Sequence, residues 1–468
     1  MKNKVVNNTN KFSKKTIGII SILALSDVLV MAAPFYLKNV MSSVLISQSL
    51  GIQASEFSQA TSIYGYISLL SYFVGGYFAD KFSLKKLTLS GLFLSGVVGI
   101  WYGFIPFINS RKLIQVYVIF SLWSFLTCFV FWSALWKLLS EQGTPEQNGK
   151  LNGVHGSLNG LIGCFVIGLA YLLFWLFSVV WKESLGSWAF SGLVFVLCTL
   201  IFLNCLLMYF FVPEIKKDKV AHNNQFDIKS FSTVLKNYKI WLVTLLIMGV
   251  YMYQSGLSVF VTFIQDALGV TAIIVIILGV CRTYLFRFLF STPAGKIADK
   301  SQKYILFIIF GLIIASVLCI TATLIPGFTS ESFNNMSKSI KITIQVIVSV
   351  LYLMLGITCW ALVTNRWATI YEINIDQKHY ALSVGFISFI AFSPDAWFWQ
   401  IDSIMLKNLG TEAGYSTNKL ANQASLLIIT TIGLLAIICG VILLFFLKKE
   451  AKKLAKSQRL QSKVGLDV

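Results

Sequence analysis

The sequence predicts an all-α polytopic membrane protein whose twelve transmembrane helices form two pseudo-symmetric six-helix bundles. Three observations carry that prediction. Of 468 residues, 56% are hydrophobic and only 12% charged, with a mean hydropathy of +0.76, whereas a soluble domain is about a quarter charged. Twelve apolar, non-alternating segments are each long enough to cross a hydrocarbon core, which takes roughly 20 residues of helix. Finally, Gly76-Tyr77-Phe78-Ala79-Asp80-Lys81 returns 219 residues later as Gly295-Lys296-Ile297-Ala298-Asp299-Lys300. Each copy closes an apolar run and opens a basic loop.

Span 1 (16–39) follows the basic stretch Lys2 to Lys15 and exceeds the length of a signal-peptide core, so it is read as a membrane helix. It carries Asp27. Span 2 (58–79) ends in the first motif copy. Spans 3 (87–107), 6 (189–212), 9 (303–325) and 12 (424–447) have no charge in their interiors and are expected to face lipid. Span 4 (114–138) offers Ser121, Ser124 and Thr127. Span 5 (152–179) sets Gly153, Gly156, Gly160 and Gly163 on one face, where another helix packs closely, beside a polar stripe of Asn152, His155 and Asn159.

In the second half, span 7 (239–265) presents Tyr251, Gln254, Ser255 and Ser258, and span 8 (271–298) holds Arg282, Arg287 and Pro293. Span 10 (341–364) carries Tyr352, Thr358 and Cys359. Span 11 (381–407) carries Pro394, Asp395 and Asp402. The prolines are expected to bend spans 8 and 11. The chain thus divides into a cytoplasmic N-terminal segment (1–15), a first bundle (16–212), a central loop (213–238), a second bundle (239–447) and a basic tail (448–468).

Orientation follows from the basic residues. With the N-terminus cytoplasmic, inner segments carry 28 lysines and arginines and outer loops 8, which places both termini inside. The net charge of +19 and pI near 9.5 are thereby assigned to span flanks and to anionic lipid rather than to nucleic acid. The eight cysteines all fall within spans, so neither a disulfide framework nor a metal-ligand spacing is expected.

Interior charges are the candidates for function, because a charge near the bilayer centre costs about 2.5 to 3.5 kcal/mol or more and must face a partner or a wet cavity. Asp27, Arg282 and Asp395 lie roughly 16 to 21 Å along their helices at 1.5 Å per residue, near the midplane where transporters bind substrate. Arg282 either binds an anion or pairs with a carboxylate, Asp395 or Asp27. Arg287 either faces the interior or snorkels. Asp27 is either a protonation site for coupling or a fixed hydrogen-bonded carboxylate, and His155 either a hydrogen-bonded residue or a proton relay. Tyr251, Gln254 and Tyr352 complete the expected substrate site.

Twelve spans in a six-plus-six arrangement, a basic central loop, and Gly76-x-x-x-Asp80-Lys81 repeated as Gly295-x-x-x-Asp299-Lys300 resemble the major facilitator superfamily over essentially the whole chain. Phe131-Trp132-Ser133 through Gly163, with Ser393-Pro394-Asp395, resembles bacterial members near the sugar-phosphate exchangers. The resemblance implies that Asp80 receives hydrogen bonds from the start of span 11 and gates the inner side, with Gly76 and Lys81, and that Gly295, Asp299 and Lys300 act likewise opposite span 5. It implies a monomeric secondary active transporter in the plasma membrane. A small polar or anionic organic solute would move by alternating access, with a proton or counter-anion as possible co-substrate. The chain lacks a Walker A sequence, an HExxH motif and a nucleophile elbow, so no enzyme activity and no cofactor are expected. A flux-free solute sensor and a lipid-headgroup flippase are the alternatives.

Overall fold

The structure is a computed structural model that describes residues 12–143, 148–180, 186–214, 228–327, 333, 335–373, 375 and 377–464. All its regular elements are helical. Ten helices among the described residues are long and apolar enough to cross a membrane: Lys14–Asn39, Leu84–Phe107, Lys112–Ser140, Gly153–Leu173, Gly186–Phe211, Tyr238–Ala267, Ala272–Ser301, Tyr304–Leu324, Lys338–Glu372 and Lys419–Lys453. They are helices 1, 3 to 10 and 12, numbered as the spans. Helix 2 (Ala54–Lys81) and an interrupted helix 11 (Gln377–Ala391, then Pro394–Leu409) occupy the two remaining positions. They pack on each other.

Several helices leave α geometry in mid-membrane. Wider π-helical turns lie at Ala32–Tyr36 in helix 1, Phe125–Trp132 in helix 4, Gly163–Ile167 in helix 5 and Cys281–Leu285 in helix 8. Such turns free backbone groups and favour functional positions. Helix 7 breaks between Gly256 and Ser258. Helix 11 breaks just before Pro394, which has no N–H to donate back into the preceding turn. Pro293 behaves differently, lying inside the continuous run Phe286–Ser301; the irregularity in helix 8 comes a dozen residues earlier.

There are two large apolar cores, one built from helices 1–6 together with Ile276 and Tyr284 of helix 8, and one from helices 7–12. Helices 3, 6, 9 and 12 turn Phe93, Val97, Phe210, Phe310, Ile314, Leu435 and Ile438 outward, the surface that lipid contact demands. The halves meet along two pairings, helix 2 on helix 11 and helix 5 on helix 8.

At the face opposite the chain ends, the two halves are stitched together. Ser42 Oγ donates to Asp266 at 2.5 Å, Ser55 Oγ to Glu412 at 2.6 Å, Ser58 Oγ to Asp402 at 2.7 Å and Ser62 Oγ to the Ala396 carbonyl at 2.5 Å. Toward the terminal face the glycines have more room. There a Cβ on Gly153, Gly156 or Gly385 would meet nothing within 4 Å.

Candidate functional site

Three arginines of the second half converge on one tyrosine of the first. Tyr36 closes the π turn of helix 1, stacks edge-on against Tyr284 at 5.8 Å, and sits in the fields of Arg282, Arg287, Arg366 and Asp27. Among the described residues, the charges acting on Tyr36 are these three guanidiniums and one carboxylate.

Arg282 lies in the π turn of helix 8 and is 3% exposed. Its Nη2 donates to the Gln254 carbonyl at 2.7 Å and the Tyr253 carbonyl at 3.3 Å. Those carbonyls stand in the last turn before the break in helix 7, where intrahelical partners run out. The arginine stem fits because Gly356 faces it: a Cβ there would stand 2.8 Å from Arg282 Cγ. Trp360 Nε1 donates to the Arg282 carbonyl at 2.6 Å and places its ring 5.3 Å from the Arg287 guanidinium.

Arg287 reaches across the interface rather than out to the surface. It donates to Asn159 Oδ1, while Asn159 Nδ2 donates to Asp27 Oδ2 at 2.6 Å. One amide therefore joins helices 1, 5 and 8. His155, one turn before Asn159, is buried edge-on against Trp136 at 5.2 Å, beside the Leu23 carbonyl and within range of Arg287. Gly160 and Gly163 of the glycine ladder let Tyr284 and Phe288 of helix 8 come close.

The expected pairing of Arg282 with Asp395 or Asp27 is not formed. Asp395 accepts from Tyr251 Oη and, at 2.6 Å, from Ser255 Oγ, while Asp27 is taken by Asn159. The two candidates share a depth with Arg282 but not a direction, and direction is what a linear sequence leaves open. Tyr251 and Gln254 nonetheless join both sides of this arrangement: Gln254 receives Arg282 at its carbonyl and Arg366 at its side chain. Tyr352 packs on Phe260 at 5.6 Å behind Arg282, its buried hydroxyl without a partner among the described residues.

Two site residues escaped the sequence reading. Arg366, counted with the inner loop, turns inward from the helical turn Arg366–Ala368, over Phe392 at 5.2 Å, and its Nε has no partner among the described residues. Lys38, counted with an outer loop, is 3% exposed. Both lie at expected span ends, where basic residues are ordinary.

Of the motif residues, the side chains of Gly76, Asp80 and Lys81 lie outside the described residues. Asp299 is exposed and accepts from Tyr304 Oη at 2.9 Å within its own half. Lys300 is exposed and Gly295 half-buried.

A family model described as the Major Facilitator Superfamily matches residues 23–395. The MG294 homolog of Mycoplasma pneumoniae (strain ATCC 29342 / M129 / Subtype 1) is 32% identical over 465 residues, covering 96% of this chain and 95% of its own. The inner membrane protein YqcE of Escherichia coli (strain K12) is 24% identical over 385 residues, 81% of this chain and 85% of its own. In fold, the chain is similar to a bacterial homolog of the human lysosomal transporter Spinster in an inward-facing, occupied conformation, with a TM-score of 0.63 at 13% identity, covering 92% of this chain and 95% of that one.

Proposed function

Because the chain belongs to the major facilitator superfamily and is a transporter, we propose that it carries a small anionic organic solute across the plasma membrane by alternating access, with Arg282, Arg287 and Arg366 as the anion-binding groups. The observation that carries this reading is that Arg282, Arg287 and Arg366 donate to neutral carbonyl and amide oxygens and, among the described residues, form no ion pair with a carboxylate. Buried arginines without carboxylate partners are costly in a membrane, and their forked donors match phosphate or carboxylate oxygens. An incoming anion supplies the missing charge. A neutral solute does not.

Alternating access is supported by the interface of the two halves. Among the described residues, serine hydroxyls of the first half bond carboxylates of the second at the face opposite the chain ends, as expected of a bistable pair of bundles closed on one side. If the basic-residue asymmetry sets orientation, the closed face is external. The Gly76-Asp80-Lys81 and Gly295-Asp299-Lys300 motifs are then the candidate inner gates. Asp27 and His155 are the candidate coupling groups, since Asn159 ties Asp27 to the arginine that would receive substrate.

The purified protein tests the solute class. Glucose 6-phosphate or citrate at about 100 times its Kd should stabilise the fold by about 2.7 kcal/mol, with glucose inert; stabilisation by glucose and none by either anion would overturn the reading. Orientation is tested separately. In a cysteine-free background, cysteines replacing Asn8 and Lys456 should react only from the cytoplasm, and those replacing Asn109 and Ser416 only from outside. External labelling at 456 would reverse the topology.

A further inference from the structure

We propose that Lys38 is the counter-charge that keeps the face opposite the termini closed, by balancing Asp395 and Asp402 of the other half. Lys38 lies in the last turn of helix 1, and its Nζ has no hydrogen-bond partner among the described residues. A buried ammonium so placed needs compensation, and nearly all of it comes from helix 11. The Trp399 ring lies 3.7 Å from Nζ, against 5.0 Å for Phe35 of its own helix. Asp395 and Asp402 are both within Coulombic reach.

The carboxylates do not need the lysine as a hydrogen-bond donor. Asp395 is occupied by Tyr251 and Ser255, and Asp402 by Ser58 and Ser425, each at 2.7 Å. Hydroxyl donors leave both negative charges in place, two turns apart on one helix and 4% and 3% exposed. Lys38 is the cation whose field acts on both.

Position then makes this charge balance conditional on conformation. The lysine belongs to the first half and the aspartates to the second, and they share a dry environment only while this face is shut. Opening places all three in water, where their attraction is largely lost. An interaction present in one state and absent in the other is what biases a two-state equilibrium. The cross-half serine bonds supply geometry for closure, whereas Lys38 removes the repulsion that closure would otherwise concentrate on helix 11.

The test uses the full-length protein in detergent, with native cysteines replaced and a reporter, Ser43→Cys, at a position 7% exposed whose N–H bonds Thr262 across the interface at 3.1 Å. Maleimide labelling reports opening of this face. Lys38→Met keeps the apolar stem and should raise the labelling rate at least about fivefold, the lower range of allosteric couplings. Adding Asp402→Asn, whose amide oxygen still accepts from one of Ser58 and Ser425 while its NH2 donates to the hydroxyl of the other, should return the rate to that of the parent. Lys38→Arg should label like the parent. An unchanged rate in Lys38→Met, or no recovery in the double variant, overturns the proposal. Should Lys38→Met fail to fold, Asp402→Asn alone decides: labelling at the parental rate or slower is expected, and several-fold faster labelling means that hydrogen bonds rather than charge balance hold the face.

Discussion

Arg282→Ala should lower anion uptake in proteoliposomes by at least about thirtyfold and remove the stabilisation by glucose 6-phosphate. Truncating one partner of a buried, hydrogen-bonded charge contact costs on the order of 2 to 5 kcal/mol, and every 1.4 kcal/mol is about tenfold. Arg282 is the most buried of the three arginines and already donates to two carbonyls, so its guanidinium is fixed before the anion arrives. Removing Asp395 as well should not rescue uptake, because Asp395 is held by Tyr251 and Ser255 rather than by Arg282. The rival role is structural: Arg282 caps the broken end of helix 7, and its loss merely loosens that helix. A folded Arg282→Ala protein still stabilised by glucose 6-phosphate and still transporting would establish that role and remove Arg282 from the binding site.

The fold was legible because lipid leaves the backbone few choices. Long apolar runs must be helices, a charge inside one is exceptional, and an uncharged helix can face hydrocarbon. Asp27, Arg282 and Asp395 stood out on that ground alone, and all three are buried. What depth along a helix could not supply was azimuth, so the partners of these charges came out differently. Asn159, read only as part of a polar stripe, is the amide that links Asp27 to Arg287. Lys38 and Arg366 were masked by their positions at span ends, and only the irregular turns beside them, Ala32–Tyr36 and Arg366–Ala368, aim them inward. Helix packing was legible where small residues recur, as at Gly160 and Gly163. An isolated glycine gives no such signal.

Gly65 is that isolated glycine, and its replacement by valine should abolish both folded yield and uptake. A Cβ at this position would lie 1.9 Å from the Asp395 carbonyl oxygen, 2.1 Å from its carbonyl carbon and 2.5 Å from the Ala396 nitrogen. These are backbone atoms, which cannot rotate away as a side-chain tip can, so helices 2 and 11 must separate. Separation at this point takes with it the Ser62 bond to the Ala396 carbonyl and the Ser58 bond to Asp402, one and two turns along helix 2. It also displaces Asp395 from Tyr251 and Ser255, and so reaches the residues around Arg366 and Arg282. Overpacking of a core side chain typically costs about 1 to 3 kcal/mol; a backbone-to-backbone contact with four dependent hydrogen bonds should exceed that range. Gly65→Ala is the sharper variant because one methyl is enough for the clash. Gly385→Ala on helix 11, where a Cβ meets nothing within 4 Å, controls for the general effect of substituting a membrane glycine. Monodisperse yield by size-exclusion chromatography and initial uptake rates should fall together for Gly65→Ala and stay at the parental level for Gly385→Ala. Parental yield and uptake in Gly65→Ala would mean that helices 2 and 11 do not come this close in the working protein.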